Sequence, residues 1–451
     1  MVKLTFFGGA NEIGGNKILL EDKGAKIYLD FGESFDFGDD FFYEFLSPRS
    51  VNGLEVYFEF GLMPKVKGLY SKAMLEYTDV KYEKPDVDAV FISHSHSDHV
   101  NHLAFLDESI PIFMGHGAFR VLEAYRKLYP GLYDIGEHEN LNFFKSGEEI
   151  RVKHLVIQPV HVEHSVPGAY GFIINSSKGA IVYSGDFRLH GPKSELTREF
   201  IEKARQAKPL ALLCEGTRMG EEGGSVTEKE VEEKLKKIIG ESKGLVMASF
   251  SMSNVDRFLS FYEAAKKCKR KLVIDTRFAF ILDQLREKIA SLPDVRTDEG
   301  IQVYYRMAKS CTFCEKDYAP WEREYLNKMV TWKDVSRDAK SLVMHVGFYR
   351  LMELVYIRPK NADFIYSMSE HFLEGEENEK QKEVLENWMR HFGVKFHKAH
   401  CSGHASKEDL ERVVKQISPK LLIPIHTQNA EGFKKFHENV RIPEEGETME
   451  L

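Results

Sequence analysis

The sequence predicts an α/β protein of two domains, in which the chain leaves the first domain, builds the second, and returns. Three observations predict this. Residues 3–30 alternate short β-rich runs with Gly and Asp turns, the pattern of a hairpin meander. Residues 244–290 repeat a strand–helix unit, which implies a parallel sheet. Histidines recur between 397 and 426, far along the chain from an earlier cluster at 94–99, and they serve a common purpose only if the last segment folds back onto the first. A chain of 451 residues is long enough for two or three separate cores.

The opening strands are expected at Lys3–Phe7, Asn16–Glu21 and Ala25–Asp30. Between the first two, Gly8-Gly-Ala-Asn-Glu-Ile-Gly-Gly15 lacks the Gly-Lys-Ser/Thr ending of a phosphate loop and leads into a strand, not a helix. Residues 33–86 are aromatic and acidic with little periodicity, so they are expected as a lid or substrate wall, or as a cover over the core. Val87–Ile92 reads as a buried strand, followed by a strand at Ile110–Met114, a helix at Gly117–Tyr129, and strands near 150–158, 171–175 and 180–184. From 197 to 245 the pattern is helical, interrupted by the apolar run Pro209–Cys214. Thr227 stands at the N-cap position of an amphipathic helix Glu228–Ile239. The second domain then offers strands at Gly244–Ser251, Lys271–Asp275 and near 341–346 and 363–367, with helices at Val255–Lys269 and Phe278–Ala290. It runs to about residue 385, and its charged stretch Glu374–Lys382 reads as the solvated start of a helix. Helix Lys407–Gln416 and strand Leu421–Ile425 close the chain.

Composition narrows the function classes. A formal charge of −8 gives no global basic field, so a polyanionic partner has to be held by a local groove or by metal ions. No apolar run approaches the ~18 residues of a membrane span, and the N-terminus reaches a strand too early for a signal peptide, so a cytoplasmic protein is expected. Five cysteines suit a reducing compartment. Cys311-Thr-Phe-Cys314 is half of a zinc-ribbon spacing without a second half, and it reads as free thiols before it reads as a metal or redox pair.

The chemistry is concentrated in His94-Ser-His-Ser-Asp-His99. If the preceding strand continues, His94 and His96 share a face, and the following turn brings Asp98 and His99 to the same point. Imidazoles and a carboxylate at this spacing form a metal-binding set. His164 and Asp186, each at the end of a β-rich run, are further candidate ligands, with His161 as the rival of His164. Asp30, where a strand stops, is placed to lie behind a ligand histidine. His397, His400, His404 and His426 are too concentrated for core packing.

In this order, these residues resemble the motifs of the metallo-β-lactamase superfamily and, within it, the β-CASP nucleases, most of all the RNase J-like group. Asp30, His94–His99, His164 and Asp186 are similar to the four superfamily motifs. Glu215 with Thr217, His404 in Ser-Gly-His-Ala, and His426 in Pro-Ile-His are similar to the β-CASP motifs. The resemblance implies an α/β fold: a metallo-β-lactamase αβ/βα four-layer sandwich in 1–220, an inserted β-CASP α/β domain in 221–388, and completion of the first domain by 389–451. Two features depart from the group. Thr-Gln-Asn follows His426 where many members have Gly-Glu, and the chain stops soon after it, without the length of the extra C-terminal domain.

The resemblance also implies a zinc-dependent ribonuclease with two Zn²⁺ per chain, Mn²⁺ or Mg²⁺ being alternative ions. His94, His96 and His164 would hold one ion, Asp98, His99 and His426 the other, with Asp186 between them. Asp98, Glu215 and His404 are the catalytic candidates, His404 as general acid oriented by Glu215. Ser251, Ser253 and Asn254, where a strand meets a helix, and His400, Ser402 and Gly403 resemble the group's 5′-monophosphate pocket, which implies 5′→3′ exonuclease action on single-stranded RNA alongside endonuclease action. Read without the resemblance, Ser-x-Ser-Asn is a helix cap and Glu215 a capping or salt-bridged acid. The implied protein is a monomer or homodimer, alone or within an RNA-processing complex, away from membranes. A β-CASP DNA nuclease of repair and a small-molecule metallo-hydrolase are the competing readings; the second lacks counterparts of Glu215 and His404.

Overall fold

The computed structural model of the chain describes residues 1–49, 52–129, 135, 136, 138, 140–369 and 378–451. They form two units, one of Met1–Leu189, Lys193–Gly224 and Gly403–Leu451, the other of His190–Pro192 and Ser225–Ser402. In chain order the strands are β1 (Val2–Phe6), β2 (Ile18–Asp22), β3 (Ala25–Leu29), β4 (Ala89–Ile92), β5 (Ile112–Gly115), β6 (Leu141–Phe144), β7 (Ile150–Val152), β8 (Leu155–His161), β9 (Tyr170–Ser176), β10 (Gly179–Tyr183), β11 (Ala211–Glu215), β12 (Val246–Ser249), β13 (Lys271–Asp275), β14 (Ile301–Tyr304), β15 (Met329–Val330), β16 (Leu342–His345), β17 (Asp363–Tyr366), β18 (Lys395–Lys398), β19 (Leu421–Ile425) and β20 (Thr448–Glu450).

The first unit holds two sheets, β20-β1-β2-β3-β4-β5-β6 and β19-β11-β10-β9-β8-β7. Their period-two alternation decides the layers. Leu4, Phe6, Ile27, Leu29 and Phe91 of one sheet meet Ile157, Phe172, Ile174, Leu213 and Ile423 of the other in a core between them. Their sequence neighbours face outward. Tyr28, Val90 and Ile112 pack with Leu122 of helix His116–Leu128. Val182, Leu212 and Leu422 pack with Phe200 of helix Ser194–Gln206 and with Val413 of helix Lys407–Ile417. The order is helix, sheet, sheet, helix, the αβ/βα sandwich of the sequence prediction. A slip of one residue in any of these strands would exchange the two apolar sets, so register is strongly specified.

Residues 52–86 contribute Leu54, Phe58, Met63, Leu69, Tyr70 and Leu75 to the outer core of the first sheet, the covering role, while Phe35, Tyr43 and Phe45 stay exposed.

The second unit holds one parallel sheet, β15-β14-β13-β16-β12-β17-β18. Its helix Glu228–Glu241 starts with the capping box of Thr227 and Glu230. Because β18 pairs with β17, residues through Ser402 lie in this unit, and the chain re-enters the first unit at Gly403, later than the sequence placed it. Of the charged run Glu374–Lys382, residues 374–377 lie outside the described residues, and helix Glu379–Phe392 follows. Among the described residues no helix is long and apolar enough to cross a membrane.

Candidate metal centre

Strand β4 stops at Ile92, and Ser93–His96 form a turn into the short helix Ser97–Val100, with His96 at its N-cap. A turn, and not a continued strand, therefore brings His94 and His96 together. The physical reason is that Ser93 leaves the ladder: its N–H donates to Asp30 Oδ1 at 2.6 Å, and its carbonyl accepts from Tyr170 N at 2.9 Å. His164 follows β8, Asp186 follows β10, Glu215 ends β11, and His426 follows β19. β10, β11 and β19 are parallel, and β8 and β10 are both antiparallel to β9, so all four strands deliver these residues to one edge of their sheet. Rigid strands ending in short loops hold side chains in place at little entropic cost.

Two donor sets converge there. His96 Nδ1 lies 3.0 Å from His94 Nε2 and 3.1 Å from His164 Nε2. His426 Nε2 is 2.9 Å and His99 Nε2 3.5 Å from Asp98 Oδ2. Asp186 Oδ2 reaches both, at 3.7 Å from His94 Nε2, 3.2 Å from His99 Nε2 and 3.6 Å from His426 Nε2. Burial, reinforced by neighbouring imidazoles, pushes His94 and His164 well below the usual histidine range, and burial pushes His96 to about 4, so the first three rings are neutral. Burial opposes the charge on His99 too, but Asp186, Asp98 and Asp30 outweigh it and hold that ring well above its usual value. Asp98 and Asp186 stay far below the carboxylate range, because His99 and His426 overcome the cost of their burial.

The residues fit metal ions. Both oxygens of Asp186 and Nε2 of His99 are buried without a hydrogen-bond partner, an arrangement that costs roughly 1–3 kcal/mol per group unless a cation takes the lone pairs. Tetrahedral ligands at ~2.0–2.1 Å from zinc stand roughly 3.3–3.4 Å apart, close to the 3.0 and 3.1 Å that separate His96 Nδ1 from His94 Nε2 and His164 Nε2.

A surrounding layer fixes the rings. His99 Nδ1–H donates to Asp30 Oδ2 at 2.7 Å, which turns Nε2 inward, and Tyr183 OH and Ser93 Oγ donate to the same oxygen at 2.5 and 2.7 Å. His164 Nδ1 donates to the Gly403 carbonyl at 2.7 Å. Asp30 and His426 both adopt left-handed backbone, at φ +58° and +52°, a strain of order 1–3 kcal/mol each that recurs at functional sites. Gly14, at φ +85°, sits where a Cβ would fall 2.7 Å from Asp98 Cβ, so the glycine run set aside as a phosphate loop backs a ligand instead.

Beside the cluster, His404 Nδ1 is 3.3 Å from Glu215 Oε1 and 3.8 Å from Asp186 Oδ2. Thr217 Oγ1 bridges His404 Nδ1 and His426 Nδ1 at 3.1 and 2.9 Å. Glu215 is fully buried and accepts from Phe187 N and Thr217 N, each at 3.1 Å. Burial opposes a proton on His404, but the Glu215 carboxylate, followed by Asp186 and Asp98, lifts it to about 9.

The remaining predicted residues divide. His161 packs against Tyr170 with the two rings tilted by 35°, outside the cluster. His397 lies on β18 and pairs with Asp363 Oδ1 at 2.8 Å, so of the histidines between 397 and 404 it is His404 that joins the first unit's cluster. Cys311 and Cys314 are exposed free thiols. In the second unit, Ser251 Oγ and Ser253 Oγ are 3.0 Å apart, and Asn254 caps helix Val255–Lys267 by accepting from Arg257 N at 3.0 Å. His400 Nδ1 lies 3.1 Å from the guanidinium of Arg257, and the Ser402 carbonyl accepts from His190 Nε2 at 2.8 Å. Gly403 is in the first unit, where a Cβ would meet Ser165 Oγ at 2.8 Å.

Sequence reasoning missed Tyr183, Ser93 and Gly14. Tyr183 carried one usable signal: it is a core strand position with a polar tip, which needs a buried partner. It also missed Arg257, fully buried, whose Nε and Nη2 hold the two Glu228 oxygens at 2.8 and 3.1 Å and whose Nη1 donates to the Ser367 carbonyl at 3.0 Å. Arg257→Leu is expected to cost about 3–5 kcal/mol in urea denaturation by stranding Glu228. Adding Glu228→Gln should return part of that loss, and equal stability of the single variant and the parent protein would show the pair to be dispensable.

Residues 68–222 match the family described as beta-lactamase superfamily domain, and residues 394–443 match the Zn-dependent metallo-hydrolase RNA specificity domain. Ribonuclease J of Sinorhizobium meliloti is 24% identical over 367 residues, covering 77% of this chain and 59% of its own length. Ribonuclease J of Mycoplasma genitalium is 25% identical over 437 residues, covering 94% and 67%. The chain thus spans about three fifths to two thirds of these relatives. A crystal structure of a protein of unknown function from Enterococcus faecalis shares the fold, with a TM-score of 0.78 at 23% identity over 100% of both chains. The ordered histidine and carboxylate motifs, the four-layer sandwich that carries them and both domain matches agree, and what the chain is similar to is the metallo-β-lactamase superfamily and, within it, the β-CASP, RNase J-like group.

Proposed function

We propose that the protein is a zinc-dependent ribonuclease that hydrolyses phosphodiester bonds of single-stranded RNA, acting 5′→3′ from 5′-monophosphate ends. One observation carries this reading: a single buried carboxylate, Asp186, lies within 3.7 Å of both nitrogen sets and 3.8 Å from His404. Two further facts support RNA as the substrate, namely the relatives' name, ribonuclease J, and the RNA specificity match, whose span contains His404 and His426. The first unit is then the metallo-β-lactamase domain, and the second the β-CASP domain inserted into it.

In this reading His94, His96 and His164 would hold one Zn²⁺ and Asp98, His99 and His426 the other, with Asp186 between the two sets. Bound zinc supplies Lewis acidity, which lowers the pKa of water and offsets charge building on phosphate oxygens. The protein's own groups do the rest. Asp30 and the Gly403 carbonyl lock the tautomers of His99 and His164. Asp98, backed by Gly14, orients the nucleophile as well as holding an ion. Glu215 and Thr217 engage Nδ1 of His404, so the proton for the leaving 3′-oxygen comes from Nε2. Of the carboxylates around it, Glu215 is the chief support of that proton, ahead of Asp186 and Asp98. The preference for a 5′-monophosphate is assigned to Ser251, Ser253, Asn254, His400 and Ser402.

The test is a cleavage assay of the zinc-loaded protein on matched RNA and DNA strands bearing 5′-monophosphate, 5′-hydroxyl or 5′-triphosphate ends. RNA with a 5′-monophosphate should be shortened stepwise, at least ~10-fold faster than the others. Equal rates on RNA and DNA would overturn the substrate assignment, and indifference to the 5′ end would overturn the exonuclease assignment.

A further inference from the structure

The second unit carries a cavity of about 560 Å³ that the cleavage chemistry does not use. This volume lies within the ~300–1,000 Å³ typical of small-molecule sites. It opens at the carboxyl ends of β13, β14 and β16, where Asp275, Tyr304 and His345 line it. From β13 the chain moves to β14 and then β15 on one side, whereas from β16 it moves to β17 on the other, and β13 and β16 are adjacent and parallel. A crevice between neighbouring strands whose connections diverge is where open parallel sheets take ligands.

The lining tells which ligand. Every carboxylate in it is already served by a donor of the same unit. Asp275 accepts from Phe278 N at 2.8 Å, Glu353 from Tyr304 OH at 2.5 Å, Glu322 from Thr276 Oγ1 at 2.9 Å, and Asp317 from Ser310 Oγ at 2.7 Å. The tyrosine hydroxyls are spent as well: Tyr305 donates to the Glu322 carbonyl and Tyr318 to the Arg306 carbonyl, the latter at 3.1 Å. Arg306 and Lys309 have no acceptor among the described residues, and Arg350 comes no nearer than 3.8 Å to Asp275. The donors left unspent are therefore cationic. Behind it stands an aromatic wall, with the rings of Tyr305 and Tyr318 edge to face at 4.7 Å and half-buried Trp321 against Phe280 at 5.4 Å.

We propose that this cavity binds one nucleotide, its base against the accessible face of Trp321, which the buried Tyr305 and Tyr318 rings back, and its phosphate on Arg306, Lys309 and Arg350. Aromatic faces accept any base, and arginine and lysine provide the counter-charge, so the site distinguishes nucleotides from plain anions but not one base from another. The ligand comes either as a free mononucleotide or as one residue of an RNA strand.

Titration calorimetry of the full chain tests this, with adenosine 5′-monophosphate, adenosine, inorganic phosphate and a hydrolysis-resistant phosphorothioate RNA pentamer as probes. Asp186→Asn provides the background in which the first unit's centre is disabled, so failure of the ribonuclease reading and failure of this one are read separately. In that background the monophosphate should bind at least ten-fold tighter than either adenosine or phosphate. Arg306→Ala with Lys309→Ala should weaken the monophosphate at least ten-fold and leave adenosine unchanged, while Trp321→Ala should weaken both. Competition by the pentamer identifies a strand residue as the occupant, and its absence identifies the free mononucleotide; either supports a nucleotide site. Monophosphate binding that neither substitution changes would overturn the proposal, as would phosphate binding as tightly as the monophosphate. Arg306 and Lys309 are exposed, so melting temperatures should match the parent and separate lost binding from lost fold.

Discussion

In the proposed two-zinc ribonuclease, Asp186→Asn is expected to lower bound zinc from two equivalents per chain to less than one, and to reduce RNA cleavage by at least ~10³-fold, since an ion's Lewis acidity contributes several kcal/mol to the transition state. The size of the effect follows from the sharing. Asp186 Oδ2 lies 3.7 Å from His94 of the first nitrogen set and 3.2 and 3.6 Å from His99 and His426 of the second, so one substitution weakens both sites. Asn keeps the shape and removes the charge that His99 and His426 face at 3.2 and 3.6 Å. Melting temperatures of the metal-free variant and the metal-free parent separate lost ions from lost fold. His164→Ala, by contrast, should cost one equivalent, because His164 is confined to one set. Elemental analysis of the purified variants reads this directly, and two retained equivalents in Asp186→Asn would remove Asp186 from the ligand list.

His404→Ala is expected to lower RNA cleavage ~10²–10⁴-fold, the range of a positioned general acid, with zinc content unchanged. A substrate with a good leaving group separates this role from a structural one. Thymidine 5′-(p-nitrophenyl phosphate) releases a nitrophenolate that needs no proton, so the variant should cleave it within about ten-fold of the parent. Glu215→Gln should behave alike but more mildly, about 10–100-fold on RNA, as expected of a group that acts through its neighbour. Its carboxylate sits 3.3 Å from His404 Nδ1, and it is the largest charge holding that imidazole protonated. Equal losses on both substrates, or zinc lost with the imidazole, would make His404 a ligand or a structural residue and sink the general-acid assignment.

Much of this was legible because the relevant signals are local. Apolar and β-rich runs marked β1 to β5, β8 to β13, β16, β17 and β19, and the run from His94 to His99 is short enough for its donors to meet whatever the rest of the chain does. Illegible strands share a different cause. β18, Lys395–Lys398, is a sheet edge with mostly exposed side chains, so main-chain pairing to β17 defines it and no apolar period betrays it. β14 and β15 hide among loops for the same lack of length. His397 misled for a related reason: sequence proximity to His404 suggested shared chemistry, but the edge strand places it on Asp363 in the other unit.

The sequence by itself determined the α/β class, the return of the chain to its first unit, and the residue types able to hold metal, because hydrophobic period and donor chemistry are properties of short stretches. Only the tertiary structure decided which donors meet. The parallel ends of β10, β11 and β19 set Asp186, Glu215 and His426 side by side, and Tyr183 reaches Asp30 across the inter-sheet core. It also placed an aromatic cavity with unspent cationic donors where the connections of β13 and β16 part. Those relations depend on register and strand order, which are set by long-range packing and have no local trace in the chain.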